Sequence, residues 1–241
     1  MKLSVVIPVY NEEKTVEKLI NSVLAEKTLK EIIIVNDGST DNTLSEIRNS
    51  KHEIRNKDTK IKIFNFKKNC GKGAAVRKGI ENATGDVLII QDADLEYNPN
   101  DYRRLLLPIL QKKTQVVYGN RLKELKFKLW GVNKTSLPLH YLINRFLSFL
   151  TNVLYGSNLT DMETCYKMMT REVYQKLNLS SSRFEIEPEI TAKILKLGYK
   201  ILEVPIQTKP RSYNEGKKIK AGDAVRAFFT LFKFAGLRNV F

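Results

Sequence analysis

Two cysteines, two histidines and one tryptophan among 241 residues leave little material for several common chemistries. Cys70 and Cys165 stand apart, with no Cys-x-x-Cys pair and no histidine cluster beside them. A disulfide framework or a zinc site is therefore not expected, and a reducing, cytosolic setting is the simpler reading. No stretch approaches the roughly 20 apolar residues needed to cross a bilayer. Met1 runs directly into Leu3-Ser-Val-Val-Ile7, without the basic start, apolar run and small-residue cleavage site of a signal peptide. Acidic residues are also in deficit: 26 Asp and Glu against 41 Lys and Arg, a formal charge of +15. Such an excess suits a polyanionic partner, whether nucleic acid, anionic membrane or phosphorylated small molecule. The length fits one large domain, and 42% hydrophobic with 28% charged residues is the balance of a folded chain.

The first half alternates two periodicities. Short β-branched runs at Leu3 to Ile7, Glu31 to Val35, Ile61 to Phe66, Asp86 to Ile90 and Val116 to Tyr118 predict strands. Between them lie helical patterns: the stripe Val16, Leu19, Ile20, Val23 and Leu24, an amphipathic run from about Asp41, a helix near Lys72 to Asn82, and another from Pro99. This alternation predicts an α/β fold with a mostly parallel sheet flanked by helices, whose ligands bind at the carboxyl ends of the strands. Five polar clusters fall at those ends: Tyr10-Asn-Glu-Glu13, Asn36-Asp-Gly-Ser39, Asn69-Cys-Gly-Lys-Gly73, Asp92-Ala-Asp94 and Gly119-Asn-Arg121.

From about Leu122 the alternation breaks. A basic segment, Lys123 to Lys134, leads into a helix with the apolar stripe Leu139, Leu142, Ile143, Phe146, Leu150 and Val153. A polar turn at Thr160 to Thr164, a helix near Pro188 to Leu197 and a strand at Lys200 to Pro205 follow. The expected organisation is a single domain in two halves, 1–121 with the polar clusters and 122–241 with the amphipathic helices. The last predicted helix, Ala221 to about Gly236, has one narrow polar stripe, Asp223, Arg226, Thr230 and Lys233. Its wide apolar remainder suits a helix lying in a membrane interface.

Asp92 and Asp94, one residue apart after a buried strand, can share a divalent cation such as Mg²⁺ or Mn²⁺, which leaves its other positions to phosphate and water. Val6-Ile-Pro-Val-Tyr-Asn-Glu-Glu13, Val35-Asn-Asp-Gly-Ser-Thr-Asp-Asn-Thr43, Asn69-Cys-Gly-Lys-Gly73 and Gln91-Asp-Ala-Asp94 occur together and in order. In this combination the chain resembles family 2 glycosyltransferases of the Rossmann-like GT-A fold, especially dolichyl-phosphate mannose synthases and related polyprenyl-phosphate glycosyltransferases. The resemblance implies an inverting, metal-dependent hexosyltransferase. It would use a GDP- or UDP-hexose donor and a polyprenyl phosphate acceptor, and would be peripheral on the inner face of the membrane. Transfer to a hydroxyl of a lipid-linked saccharide or glycolipid is the alternative. The acidic motifs gathered at the expected site argue against nucleic acid as the partner.

The same resemblance implies roles for particular residues. Pro8, Tyr10 and Glu12 would line the nucleoside pocket, and Asp37 would hydrogen-bond the base, with Gly38 turning the chain. Gly71 and Gly73 would allow close backbone approach to the donor. Asp92 and Asp94 would hold the metal, with Glu96 a further ligand where mannose synthases of this group tend to carry Gln. Arg121 would meet a phosphate in bidentate fashion. In Thr160-Asp-Met-Glu-Thr-Cys-Tyr166, Asp161 is the preferred general base and Glu163 the second candidate. Arg211, Lys217 and Lys218 would belong to a basic loop closing over the donor diphosphate.

Overall fold

Six of the predicted strands, joined by a seventh, form one sheet in the computed structural model, which describes residues 1–26, 29–53, 59–123, 138–211 and 221–236. The strands are β1 (Leu3–Val9), β2 (Leu29–Asn36), β3 (Lys60–Asn65), β4 (Val87–Ile90), β5 (Val116–Asn120), β6 (Lys167–Thr170) and β7 (Ile201–Pro205). Their order across the sheet is β3-β2-β1-β4-β6-β5-β7. All pairs are parallel except those of β6, which runs antiparallel to both β4 and β5. Every residue of β1 and β4 is buried, as expected of central strands covered on both faces.

Helices α1 (Val16–Leu24), α2 (Thr43–Glu53), α3 (Lys72–Glu81) and α4 (Tyr102–Leu110) supply the crossovers, α4 following a 3-10 turn at Pro99–Asp101. All five residues of the predicted α1 stripe are buried; each such side chain contributes about 1.5–3 kcal/mol on leaving water. The remaining helices are α5 (Pro138–Tyr155), α6 (Arg171–Lys176), α7 (Ile186–Lys196) and α8 (Ala221–Ala235).

Two features go beyond the sequence reading. The first is the pair β6 and α6, which the polar turn at 160–164 conceals. Lys167-Met-Met-Thr170 is four residues long, opens on a charge and has only one β-branched member, so its strand signal is weak. Tertiary pairing decides it: Met168 and Met169 sit opposite Ile89 and Leu88 on one side, and Val117 and Val116 on the other.

The second, left open by the sequence reading, is the orientation of α5. Most of its apolar stripe points away from the protein: Leu139, Leu142, Phe146 and Val153, with Phe149 beside them, are each more than half exposed, while Ile143 and Leu150 pack toward α8. The inward side carries Asn144, Leu147, Ser148 and Thr151. The reason is polar pairing in the interior, because Asn144 donates to Asp161 and Ser148 accepts from the Met162 backbone N–H. Helix α8 lies alongside, burying Ala227, Thr230 and Leu231 near Leu147 and Met162. Thr230, expected on the polar stripe, is thus an inward residue. Val225 and Phe229 remain more than half exposed, and Phe228 stacks on Phe146 of α5 at 6.5 Å, so the outward apolar faces of the two helices adjoin. Among the described residues no helix is long and apolar enough to cross a membrane. Lys217 and Lys218 lie outside the described residues.

Candidate active site

The carboxyl ends of β1, β2, β4 and β5 meet along one edge of the sheet. Because β6 is reversed, the segment entering it arrives at that same edge. After β1, Glu12 is buried. After β2, Asp37 is 2% exposed and its carboxylate accepts from the backbone N–H groups of Cys70 (2.7 Å) and Gly71 (2.8 Å) and from the Asn69 amide (2.9 Å). Burial raises the Asp37 carboxyl above its ordinary range, against the pull of those N–H groups. Asp37 therefore holds the turn before α3. Gly38, at φ 67°, packs so tightly that a Cβ would lie 2.4 Å from the Lys68 carbonyl carbon.

Gly71 and Gly73 approach protein rather than open space. A Cβ on Gly71 would fall 2.3 Å from the Ser182 carbonyl oxygen, and one on Gly73 2.6 Å from that of Ser181. These glycines admit the 181–183 backbone against the start of α3, a packing role that the sequence reading did not include.

The Asp-x-Asp pair divides between two cations. Asp92 is held by Lys72 of α3 at 2.8 Å, and Lys72 also reaches Glu187 of α7 at 2.9 Å. Lys167, fully buried at the start of β6, closes the quartet on Glu187 at 2.5 Å. Burial opposes the charge on Lys72, yet Asp92 and Glu187 outweigh it and hold its pKa well above an ordinary lysine. Asp94 faces a different cation. The Arg211 guanidinium forks onto Glu12 (3.1 and 3.0 Å) and also donates to Asp94 at 3.1 Å, while the Arg211 backbone N–H donates to Glu96 at 3.0 Å. Burial first, then Asp92 and Glu96, push the Asp94 carboxyl up to about 7 in spite of Arg211.

Gln91 steadies the strand end. Its carbonyl accepts from the hydroxyls of Tyr102 (2.7 Å) and Tyr166 (2.6 Å), and its amide donates to the Asp92 carbonyl at 2.9 Å.

Beyond β5, Arg121 makes its bidentate contact with Asp161, at 2.9 Å from Nε and 2.6 Å from Nη2, and its backbone N–H adds a third bond at 2.8 Å. Asp161 is fully buried and also accepts from Asn144. Burial alone would raise this carboxyl, but Arg121 and Asn144 hold it below the usual range. Glu203 of β7 accepts from the Thr160 and Asp161 backbone N–H groups, both at 2.9 Å. Glu163 is the opposite case. One of its oxygens is buried with no hydrogen-bond partner, and burial pushes its pKa up to about 7.

The structure thus brings Glu12, Asp92, Asp94, Glu96 and Arg211 together, and sets Arg121, Asp161 and Glu163 in a second group. Lys72, Gln91, Glu187 and Glu203 were not anticipated from sequence. Lys72 had one signal, its place between two glycines at a strand-to-helix turn. Among the described residues no three His, Cys, Asp or Glu side chains already form a metal cage. The donor set nevertheless fits a hard divalent cation: oxygen ligands at one strand end, with Glu12, Asp94 and Glu96 sharing a single guanidinium.

The glycosyl transferase family 2 model matches residues 4–177, which carry this strand edge and its acidic pair. The chain belongs to that family, and it is a glycosyltransferase. It is 32% identical over 257 residues to a dolichyl-phosphate beta-glucosyltransferase of Trichomonas vaginalis, covering 99% of this chain and 74% of that one. It is 30% identical to the UDP-N-acetylglucosamine–dolichyl-phosphate N-acetylglucosaminyltransferase of Methanococcus voltae, covering 94% and 93% respectively. In fold it is similar to glucosyl-3-phosphoglycerate synthase from Mycobacterium tuberculosis crystallised with Mn²⁺, UDP and phosphoglyceric acid. There the TM-score is 0.73 at 19% identity, over 99% of this chain and 80% of that one. The expected GT-A architecture is borne out.

Proposed function

We propose that the protein transfers a hexose, with inversion, from a GDP- or UDP-hexose to a polyprenyl phosphate presented at a membrane surface. Pro8, Tyr10 and Glu12 line the nucleoside side of the site, next to the turn that Asp37 holds. Asp92 and Asp94 hold a divalent ion, Mg²⁺ or Mn²⁺, whose charge offsets the charge building on the departing diphosphate. Arg211, with Lys217 and Lys218 further along the chain, adds positive charge on the donor side.

One observation carries the choice of acceptor: the ion pair of fully buried Asp161 with Arg121. A carboxylate held this way is a poor proton acceptor, so the residue best placed by sequence to activate a hydroxyl is committed elsewhere. A phosphate acceptor has no such requirement, since a phosphomonoester with a second pKa of about 6 is already an oxyanion at neutral pH. Asp161 then orients Arg121, and Arg121 meets the acceptor phosphate. The names of the two relatives, both dolichyl-phosphate transferases, support this acceptor.

The apolar faces of α5 and α8 support delivery from a membrane, with the excess of Lys and Arg favouring an anionic one. Glu163 favours the second reading, a hydroxyl acceptor, because a carboxyl near pH 7 suits a general base.

Incubation with a panel of nucleotide sugars and polyprenyl phosphates, with products identified by mass spectrometry, tests the proposal. A sugar–phosphate–lipid product is expected. Asp94→Ala should lower its rate roughly a hundredfold or more, and a chelator should abolish it. Undiminished turnover in chelator, or a glycosidic product on a hydroxyl, would overturn this reading.

A further inference from the structure

Arg211 has the geometry of a stand-in rather than of a finished ion pair. Its guanidinium is divided among three carboxylates, Glu12 at 3.0 Å, Asp94 at 3.1 Å and Glu96 at 3.9 Å. Its Nε is buried without a hydrogen-bond partner. An optimised buried arginine satisfies all of its donors, because an orphaned N–H forfeits a hydrogen bond it would have made to water. The cluster therefore binds positive charge at this point more strongly than it fits a guanidinium.

Lys72 provides the contrast. It stands on a helix, pairs with Asp92 and Glu187 at 2.8 and 2.9 Å, and is braced from behind by Lys167 on the same Glu187. Lys72 is a built-in counter-charge. Arg211 instead belongs to a segment docked on the residues after the Asp-x-Asp pair: Lys209 N–H donates to the Glu96 carbonyl at 3.0 Å, and Thr208 bridges to Tyr97.

We propose that Arg211 is an internal surrogate for the divalent cation, occupying its place in the empty enzyme and competing with it for Asp94. The inference rests on the metal-dependent reading above and deepens it. Two monovalent ammoniums share Glu187, but a divalent ion on Asp94 would repel the guanidinium bound to the same carboxylate about twice as strongly, so loading the metal would compete directly with Arg211. A donor diphosphate gives the displaced guanidinium a new partner, since arginine forks onto phosphate as it does onto carboxylate. Metal and nucleotide then bind cooperatively, and the metal alone binds weakly. Any effector that removes a competing contact raises affinity by the fraction of molecules so released.

Mn²⁺ binding to the full chain, measured by electron paramagnetic resonance with and without UDP, tests this. Arg211→Ala is expected to bind Mn²⁺ alone roughly tenfold more tightly than wild type, the scale of one well-placed charge pair, and to lose most of the enhancement by UDP. Arg211→Lys, which keeps the charge, should stay near wild type and guards against a folding artefact. In wild type, Mn²⁺ with UDP should also speed hydrogen exchange at the Arg211 amide, which Glu96 holds in the empty enzyme. If Arg211→Ala binds Mn²⁺ with unchanged or lower affinity while UDP still promotes binding, the surrogate role is overturned and the metal-dependent reading stands. If no variant binds Mn²⁺ even with UDP, both fall together.

Discussion

Asp161 and Glu163 sit two residues apart and meet opposite environments. Asp161 accepts three bonds from Arg121 and one from Asn144, whereas Glu163 keeps one buried oxygen unpartnered. Replacing Asp161 with Asn would leave the Arg121 guanidinium without its counter-charge at a buried pair, a change that typically costs about 3–5 kcal/mol. Asp161→Asn is therefore expected to lower the melting temperature markedly as well as slow turnover, and calorimetry separates this from the loss of a base, which would leave stability intact. Glu163 makes the reverse contribution. Its folded pKa of about 7 lies above the ordinary 4.5, so the folded state keeps a proton that the unfolded chain releases as pH rises past 4.5. Stability from this group is full below pH 4.5 and is lost as pH climbs through 7. Glu163→Gln should then match wild type in thermal melts near pH 4 and exceed it increasingly up to pH 7 and beyond. A gap that shrinks with rising pH would contradict the assignment. At this scale the place of Asp92 and Asp94 after a buried strand was legible, although such pairs are common in loops and only the neighbouring motifs, in order, singled this one out. Lys72 and Glu187 were not, since a lysine in a first helical turn and a glutamate within a helix read as solvated charges until the tertiary fold sets them face to face.

Among the elements, α5 is the clearest case of a pattern that was read correctly while its orientation was left open. A spacing of three and four residues shows that a helix has an apolar stripe, but not whether the stripe faces core or surroundings. The inward side of α5 is chosen by Asn144 and Ser148, whose bonds run to the segment 161–163. The outward stripe then offers a surface whose burial in a membrane would contribute about 1.5–3 kcal/mol for each large side chain. Leu142 and Phe149 are more than half exposed, so a double change to Gln should leave melting unaltered while abolishing flotation with anionic vesicles. Retained flotation would move the membrane contact off α5. The strands β1, β2 and β4 were readable because both of their faces are apolar, while β6 was not, because its identity is supplied by two neighbours distant in sequence.

For the molecule as a whole, the charge balance pointed to a polyanionic partner without choosing among nucleic acid, an anionic membrane and phosphorylated small molecules. It carried no information on where the positive charge stands. Part of it stands inside: Lys72 and Lys167 are enclosed, and Arg121 and Arg211 are largely so. The division at 121/122 separates motifs but not structure, since β6 from the second half lies between β4 and β5 of the first.

That single reversed strand has a consequence for how the protein must be made. While the first 166 residues emerge from a ribosome, β4 ends the nascent sheet as an open edge and β5 has neither of its partners, β6 and β7. A row of unpaired N–H and C=O groups beside an apolar strand invites pairing with other chains. The donor half is therefore a vulnerable intermediate rather than an autonomous module. Its completion waits on four residues, Lys167–Thr170, that come almost fifty positions after the strand they must join.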